Sequence, residues 1–137
     1  MNSALDVARY VINYCNERDI SITNLKLQKL LYFIQVYFLC YSSNKRVCFK
    51  EKIFAWEFGP VVQEVYEKYR VYKDNLIPPQ NEINFNEEDT RDINRVLNDL
   101  ANRNPFELVK LTHRHLPWIN NYPNGEITLQ ELRDFYG

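Results

Sequence analysis

The residues able to do chemistry are few, and their spacing is unhelpful to catalysis. The only imidazoles are His113 and His115, in Thr112-His113-Arg114-His115. Two positions apart, they do not share a helix face, which disfavours a helical metal pair. The chain has 3 glycines, Gly59, Gly125 and Gly137, so a glycine-rich phosphate loop has no material. Serine is scarce, and no Gly-x-Ser-x-Gly elbow is present. The carboxylates gather at expected helix starts, where capping accounts for them. Cys15, Cys40 and Cys48 are odd in number and form no Cys-x-x-Cys pair, which argues against a disulfide framework and a zinc site. Cys15 and Cys40 fall in apolar helical patterns, as small buried hydrophobes do, and this fits a reducing compartment. No catalytic, cofactor-binding or metal-binding residue emerges, and the chain reads as a binding protein rather than an enzyme.

Three segments carry more than a bland fold requires. In Lys26-Leu27-Gln28-Lys29-Leu30-Leu31-Tyr32 the leucines are core, while Gln28, Tyr32 and Gln35 form one polar line. That line is either satisfied by internal hydrogen bonds or exposed as a binding strip. Trp56-Glu57-Phe58-Gly59-Pro60 is either a tight strand-to-helix connection or an aromatic rim for a partner. The expected partner surface joins these two segments, with Trp56 and Tyr32 as anchors and Gln28, Lys29 and Glu57 as rim. In His113-Arg114-His115-Leu116-Pro117-Trp118 the proline breaks a helix. The expectation there is structural: Trp118 fills the core and His113 hydrogen-bonds nearby backbone.

The elements that position these residues are mostly helices. Ser3 and Asp6 mark the start of a first helix reaching about Glu17, with Ala4, Ala8, Val11 and Cys15 at helical spacing. A second begins after Ile22, capped by Thr23 or Asn24. Its Leu27, Leu30, Leu31, Ile34 and Phe38, widened by Leu25, Phe33, Tyr37 and Cys40, make it apolar nearly all round. Such a helix is central, and this one is expected to end near Ser42-Ser43-Asn44. One or two short strands are expected between Val47 and Phe58. Gly59-Pro60 should end them and open a third helix marked by Val61, Val62, Val65, Tyr66 and Tyr69. Residues 73–86 read as a surface loop. Asn86 caps a fourth helix, Pro105 opens a fifth carrying Phe106 and Val109, and Thr128 with Glu131 forms a capping box for the last. The expected fold is mainly α, one domain over residues 1–137, an irregular bundle of five to seven helices with at most a short β-hairpin.

Hydrophobic residues make up 45% of the 137, enough for a substantial core, and 10 Tyr and 8 Phe suit both core and interface. Net charge is −1, so no overall field draws the chain to nucleic acid. Charge is uneven: +4 over residues 1–50 and −5 over residues 51–100. Met1 to Asp6 lacks the basic and apolar regions of a signal peptide. The apolar run Leu30–Tyr41 is shorter than a membrane span needs and is broken by Gln35. A cytoplasmic location is expected.

Taken in order, Ile22-Thr23-Asn24-Leu25-Lys26-Leu27-Gln28-Lys29-Leu30-Leu31-Tyr32, Ala55-Trp56-Glu57-Phe58-Gly59-Pro60-Val61-Val62-Gln63-Glu64-Val65-Tyr66 and Leu111-Thr112-His113 with Pro117-Trp118 resemble the SocA-like antitoxin domain, also called the Panacea domain. Ile127-Thr128-Leu129, Glu131-Leu132 and Phe135-Tyr136 fit the same pattern. The resemblance implies a bacterial or phage origin and an antitoxin role, some members being known only as phage-associated proteins. The implied partner is a cognate protein toxin, neutralised by direct binding or delivered to the ClpXP protease by an adaptor. It implies no cofactor and no catalytic residue. No additional DNA-binding domain of the kind some relatives carry is expected, and the 73–86 loop matches no family motif. The competing expectation is a prophage-associated DNA-binding regulator, with the first two helices imitating a helix-turn-helix. Against it, the second helix is too apolar to offer a base-reading face, and no nucleic-acid partner is expected.

Overall fold

The computed structural model describes residues 1–137. The order is α1 (Ala4–Glu17), α2 (Asn24–Val36) running into a π-helical turn (Tyr37–Tyr41), β1 (Ile53–Trp56), β2 (Gly59–Val62), α3 (Gln63–Tyr69) with a 3-10 turn (Arg70–Tyr72), α4 (Glu87–Leu100), α5 (Pro105–His113), α6 (Leu116–Ile119), β3 (Glu126–Ile127) and α7 (Leu129–Tyr136). The fold is mainly α, as expected, and the hairpin gains a two-residue third strand, giving an antiparallel sheet of order β2-β1-β3.

Local chemistry starts most helices. The Ser3, Thr23 and Asn86 side chains accept from the backbone N–H three residues on, at Asp6, Lys26 and Asp89. Asn104 caps α5 ahead of Pro105, and Thr128 with Glu131 makes the full capping box of α7.

Packing then converges on α2, which touches α1, α3, α4, α5, α7 and β2. Leu27, Leu30, Leu31 and Ile34 are fully buried on it, as an all-round apolar helix requires. The π turn carries the helix to Ser42, where its end was expected. All three cysteines are buried and free. The 73–86 segment has no regular structure, but Ile77 plugs the core and its backbone exchanges hydrogen bonds with Ile22 and Asn16.

The third helix corrects its expected start. Val61 and Val62 lie in β2, and helix begins at Gln63. Gly59-Pro60 is part of the strand because β2 is the sheet's edge, where a residue without an N–H breaks no ladder. The outward groups of that edge are taken by α2 side chains. Lys29 Nζ donates to the Pro60 carbonyl at 3.0 Å, and the Val62 N–H donates to Gln28 Oε1 at 2.9 Å.

Candidate partner-binding groove

The hairpin turn, the start of α2, α3 with its 3-10 extension and the start of α5 enclose a groove of about 590 Å³. Gln28, Lys29, Trp56 and Glu57, four of the residues expected at the partner surface, line it together. Its walls are apolar: Leu25, Trp56, Phe58, Val61, Tyr66, Pro105 and Phe106. Trp56 meets Tyr66 edge-on with ring centres 5.1 Å apart, and its indole N–H donates to Asn124. Phe58 and Phe106 are 56% and 59% exposed at the rim. Exposed rings grouped on one groove, rather than scattered singly, are the kind of apolar surface that marks an interaction site.

The floor is polar. Asn24 donates to the Tyr66 carbonyl at 3.2 Å, and Gln28 donates to Asn24 Oδ1 at 2.9 Å while accepting from Val62. Gln28 and Asn24 are therefore satisfied internally. Lys29 is different: fully buried, it has the Pro60 carbonyl as its hydrogen-bond acceptor and no carboxylate within ion-pair distance. Loss of hydration pushes its ammonium down from the usual lysine range to about 7. Gly59 makes room for it. At φ +106° this residue occupies a region open to glycine, and a Cβ there would lie 2.6 Å from Lys29 Cε.

Tyr32 does not belong to this surface. It is wholly buried, its hydroxyl bonded to that of Tyr136 at 3.0 Å. The Gln28/Tyr32/Gln35 line is thus resolved as internal hydrogen bonding, with Gln35 donating to the Phe49 carbonyl and accepting from Cys48 N–H. Gly59 and Pro60 are buried behind the groove wall.

The His113–Trp118 segment supports the groove from behind. Pro117 is buried in α6, and the half-buried Trp118 packs on the core and donates to the Trp56 carbonyl at 2.8 Å, tying α6 to the hairpin. His113 departs from expectation: it makes no backbone hydrogen bond. Its ring stacks on Trp118 at 3.9 Å, and buried Nε2 has no hydrogen-bond partner. His115 takes the polar role, its Nδ1 2.6 Å from the Tyr136 hydroxyl.

Tyr66 and Phe106 were missed as groove residues, and Phe58, inside the expected Trp56–Pro60 segment, was not singled out. Phe58 sits in the two-residue turn of the hairpin, and an apolar residue in a tight turn is a signal legible in sequence. Phe106 lies in the first turn of α5, where spacing alone does not separate it from buried Val109.

The family model of the SocA-like antitoxin, Panacea domain, matches residues 27–119, a span that holds most of the groove. The chain belongs to this family. Its name carries an antitoxin-like function, for which a toxin is the corresponding partner. No curated protein and no solved structure matches the chain. No helix is long and apolar enough to cross a membrane.

Proposed function

We propose that this Panacea-domain chain is an antitoxin that neutralises a cognate protein toxin by holding it at the Trp56–Phe58–Phe106 groove. The supporting observation is the pair of exposed phenylalanines flanking a part-covered tryptophan over a recessed floor. Interface energy concentrates in such aromatic anchors, ringed by polar groups that exclude water. Around them Glu57, Arg70, Lys73 and Asp74 furnish that ring. Trp56, Phe58 and Phe106 hold the partner, while Lys29 and Gln28 keep the hairpin edge against α2 so that the wall stays in place.

The test is growth rescue. The chain is co-expressed with the product of the adjacent reading frame, and the wild type is expected to restore growth. Phe58→Ala and Phe106→Ala should each weaken toxin binding by about 2 kcal/mol or more and leave the melting temperature nearly unchanged, since both side chains are largely exposed. Loss of rescue that tracks loss of stability would place the surface elsewhere. Direct occlusion predicts that rescue persists in a host lacking ClpXP, whereas an adaptor that delivers the toxin to that protease fails there.

A further inference from the structure

We propose that Asn124, 68 residues along the chain from Trp56, is a positioning residue of the groove, which with Trp118 fixes the Trp56 ring ready for the partner. This deepens the antitoxin reading and rests on it for the groove's being the partner site.

Trp56 is the last residue of β1, ahead of the two-residue turn Glu57-Phe58. Along that strand Ile53 and Ala55 are buried, whereas Phe54 and Trp56 alternate onto the opposite face. The hydrophobic core takes in Ile53 and Ala55 and does not extend to Trp56. Its ring meets Tyr66 edge-on and lines the groove, so core packing does not set its orientation.

Two hydrogen bonds do. The indole N–H donates to Asn124 Oδ1 at 2.9 Å, and the Trp56 carbonyl accepts from the Trp118 indole at 2.8 Å. Both partners come from the stretch 118–124, which returns from α6 to the hairpin. That stretch is tied to the residue before Trp56. The Asn124 N–H donates to the Ala55 carbonyl at 2.6 Å, and the Ala55 N–H donates to the Gly125 carbonyl at 2.9 Å. The Trp118 ring stacks on both His113 and Tyr122, with ring centres 3.9 and 4.7 Å away. The acceptor for Trp56 is thus carried on backbone already bonded to the strand it serves.

The fold has little need of that acceptor. Asn124 is exposed, and at such a site water serves an indole N–H nearly as well. At φ 61° glycine would sit with less strain. What Asn124 supplies, and water does not, is one fixed direction. A ring already held in place loses less freedom when a partner covers it, and preorganisation of this kind appears as affinity rather than as stability. Asn124 lies beyond residues 27–119, so this contact comes from a part of the chain that the family match does not cover.

Trp56 and Trp118 are the 2 tryptophans of the chain, so isotope labelling of the indole nitrogens gives two magnetic-resonance signals, assigned with Trp56→Phe. Asn124→Gly suits the backbone conformation, keeps the bond to Ala55 and removes the acceptor. Asn124→Asp keeps an acceptor oxygen in its place. In Asn124→Gly the Trp56 signal should move and its N–H exchange faster with water, while the Trp118 signal and the melting temperature stay nearly unchanged. In Asn124→Asp the Trp56 N–H should stay protected from exchange. Affinity for the product of the adjacent reading frame should fall about three- to tenfold in Asn124→Gly and recover in Asn124→Asp. A Trp56 signal unmoved by Asn124→Gly would overturn the proposal, as would full affinity in spite of a moved signal. So would a loss of affinity that Asn124→Asp does not recover, or one that tracks a loss of stability. The antitoxin reading fails separately: if the wild type does not bind that product, that reading falls, and the two indole signals still decide whether Asn124 holds Trp56.

Discussion

Lys29 on α2 donates to the carbonyl of Pro60, the one residue of the edge strand that has no N–H to offer the sheet. The central helix and the hairpin are therefore joined through a buried ammonium. The unfolded lysine holds its proton up to about 10.5, whereas the folded one releases it near 7. Between those values the unfolded state binds more protons, so stability rises with pH. The opposing groups are Cys15 and Cys48, whose thiols burial pushes up to about 11 and about 12 from an ordinary 9. They stay protonated in the fold after the unfolded thiols ionise, and stability falls above that point. Urea denaturation from pH 6 to 10 should show unfolding free energy rising from pH 7 by at most about 1.4 kcal/mol per unit and turning over near pH 9. In Lys29→Met the rise should shrink to what the similarly lowered Lys26 contributes, and the fall remain.

Gly59 tests the same contact from the other side. Alanine there meets both a φ of +106° and a Cβ 2.6 Å from Lys29 Cε and 3.0 Å from Thr112 Oγ1. Backbone strain of this kind costs on the order of 1–3 kcal/mol, and the lysine must also shift. Gly59→Ala should lower the unfolding free energy by about that much. Combined with Lys29→Ala it should cost less than the sum of the two single variants, because alanine lacks the Cδ and Cε that the new Cβ meets. Strict additivity would show that backbone strain alone is responsible.

The pattern of these residues explains how far the sequence could be read. Helix starts were legible at Ser3, Thr23, Asn86 and Thr128, because a cap is decided within four residues. The central position of α2 was legible because no surface helix tolerates apolar residues on every side. The β2 strand was not, since Gly59-Pro60-Val61-Val62 becomes a strand edge only when Gln28 and Lys29 arrive from α2 to satisfy it. Gln28, Lys29, Trp56 and Glu57 line one groove, whereas Tyr32 is drawn into the core through Tyr136, 104 residues away. Exposure of Phe106 beside buried Val109 is set by where α5 docks, which periodicity does not encode.

Arg46 gathers acidic residues of α4 around one guanidinium. It reaches Asp89 at 2.6 Å, Asp92 at 2.9 Å and Glu88 at 3.6 Å, and lies over the Phe38 ring at 4.2 Å. Burial by itself would raise the Asp89 carboxyl, but hydrogen bonds from Asn2 and Arg46 outweigh it and hold the group below its ordinary value. Stability from this carboxylate is therefore present at neutral pH and lost as pH falls through the folded value. Arg46→Met should cost up to about 3 kcal/mol, the low end of the range for a buried pair because the arginine is partly exposed. Adding Asp89→Asn and Asp92→Asn should restore much of it. A triple variant no better than Arg46→Met would show that packing on Phe38, rather than charge, carries the contribution.

The last relationship binds the C-terminal helix to the core. His115 Nδ1, the Tyr136 hydroxyl and the Tyr32 hydroxyl form a chain, at 2.6 Å and 3.0 Å. Burial, aided by Arg114, holds the His115 imidazole below its ordinary value, so at pH 7 it is neutral and Nδ1 can accept. Tyr136 then donates to His115 and accepts from Tyr32, whose own ionisation burial suppresses. Tyr136→Phe removes the middle of the chain and leaves both ends without a partner, at a cost of about 1–3 kcal/mol. Tyr32→Phe removes one end and should cost less. Because the two changes share a bond, the double variant should lose less than the sum, with a coupling of at least about 0.5 kcal/mol. Urea denaturation of the two single variants and the double variant at pH 7.5 measures it. Strict additivity would mean that the hydroxyls act independently and that apolar packing of Leu129 and Leu132 holds α7.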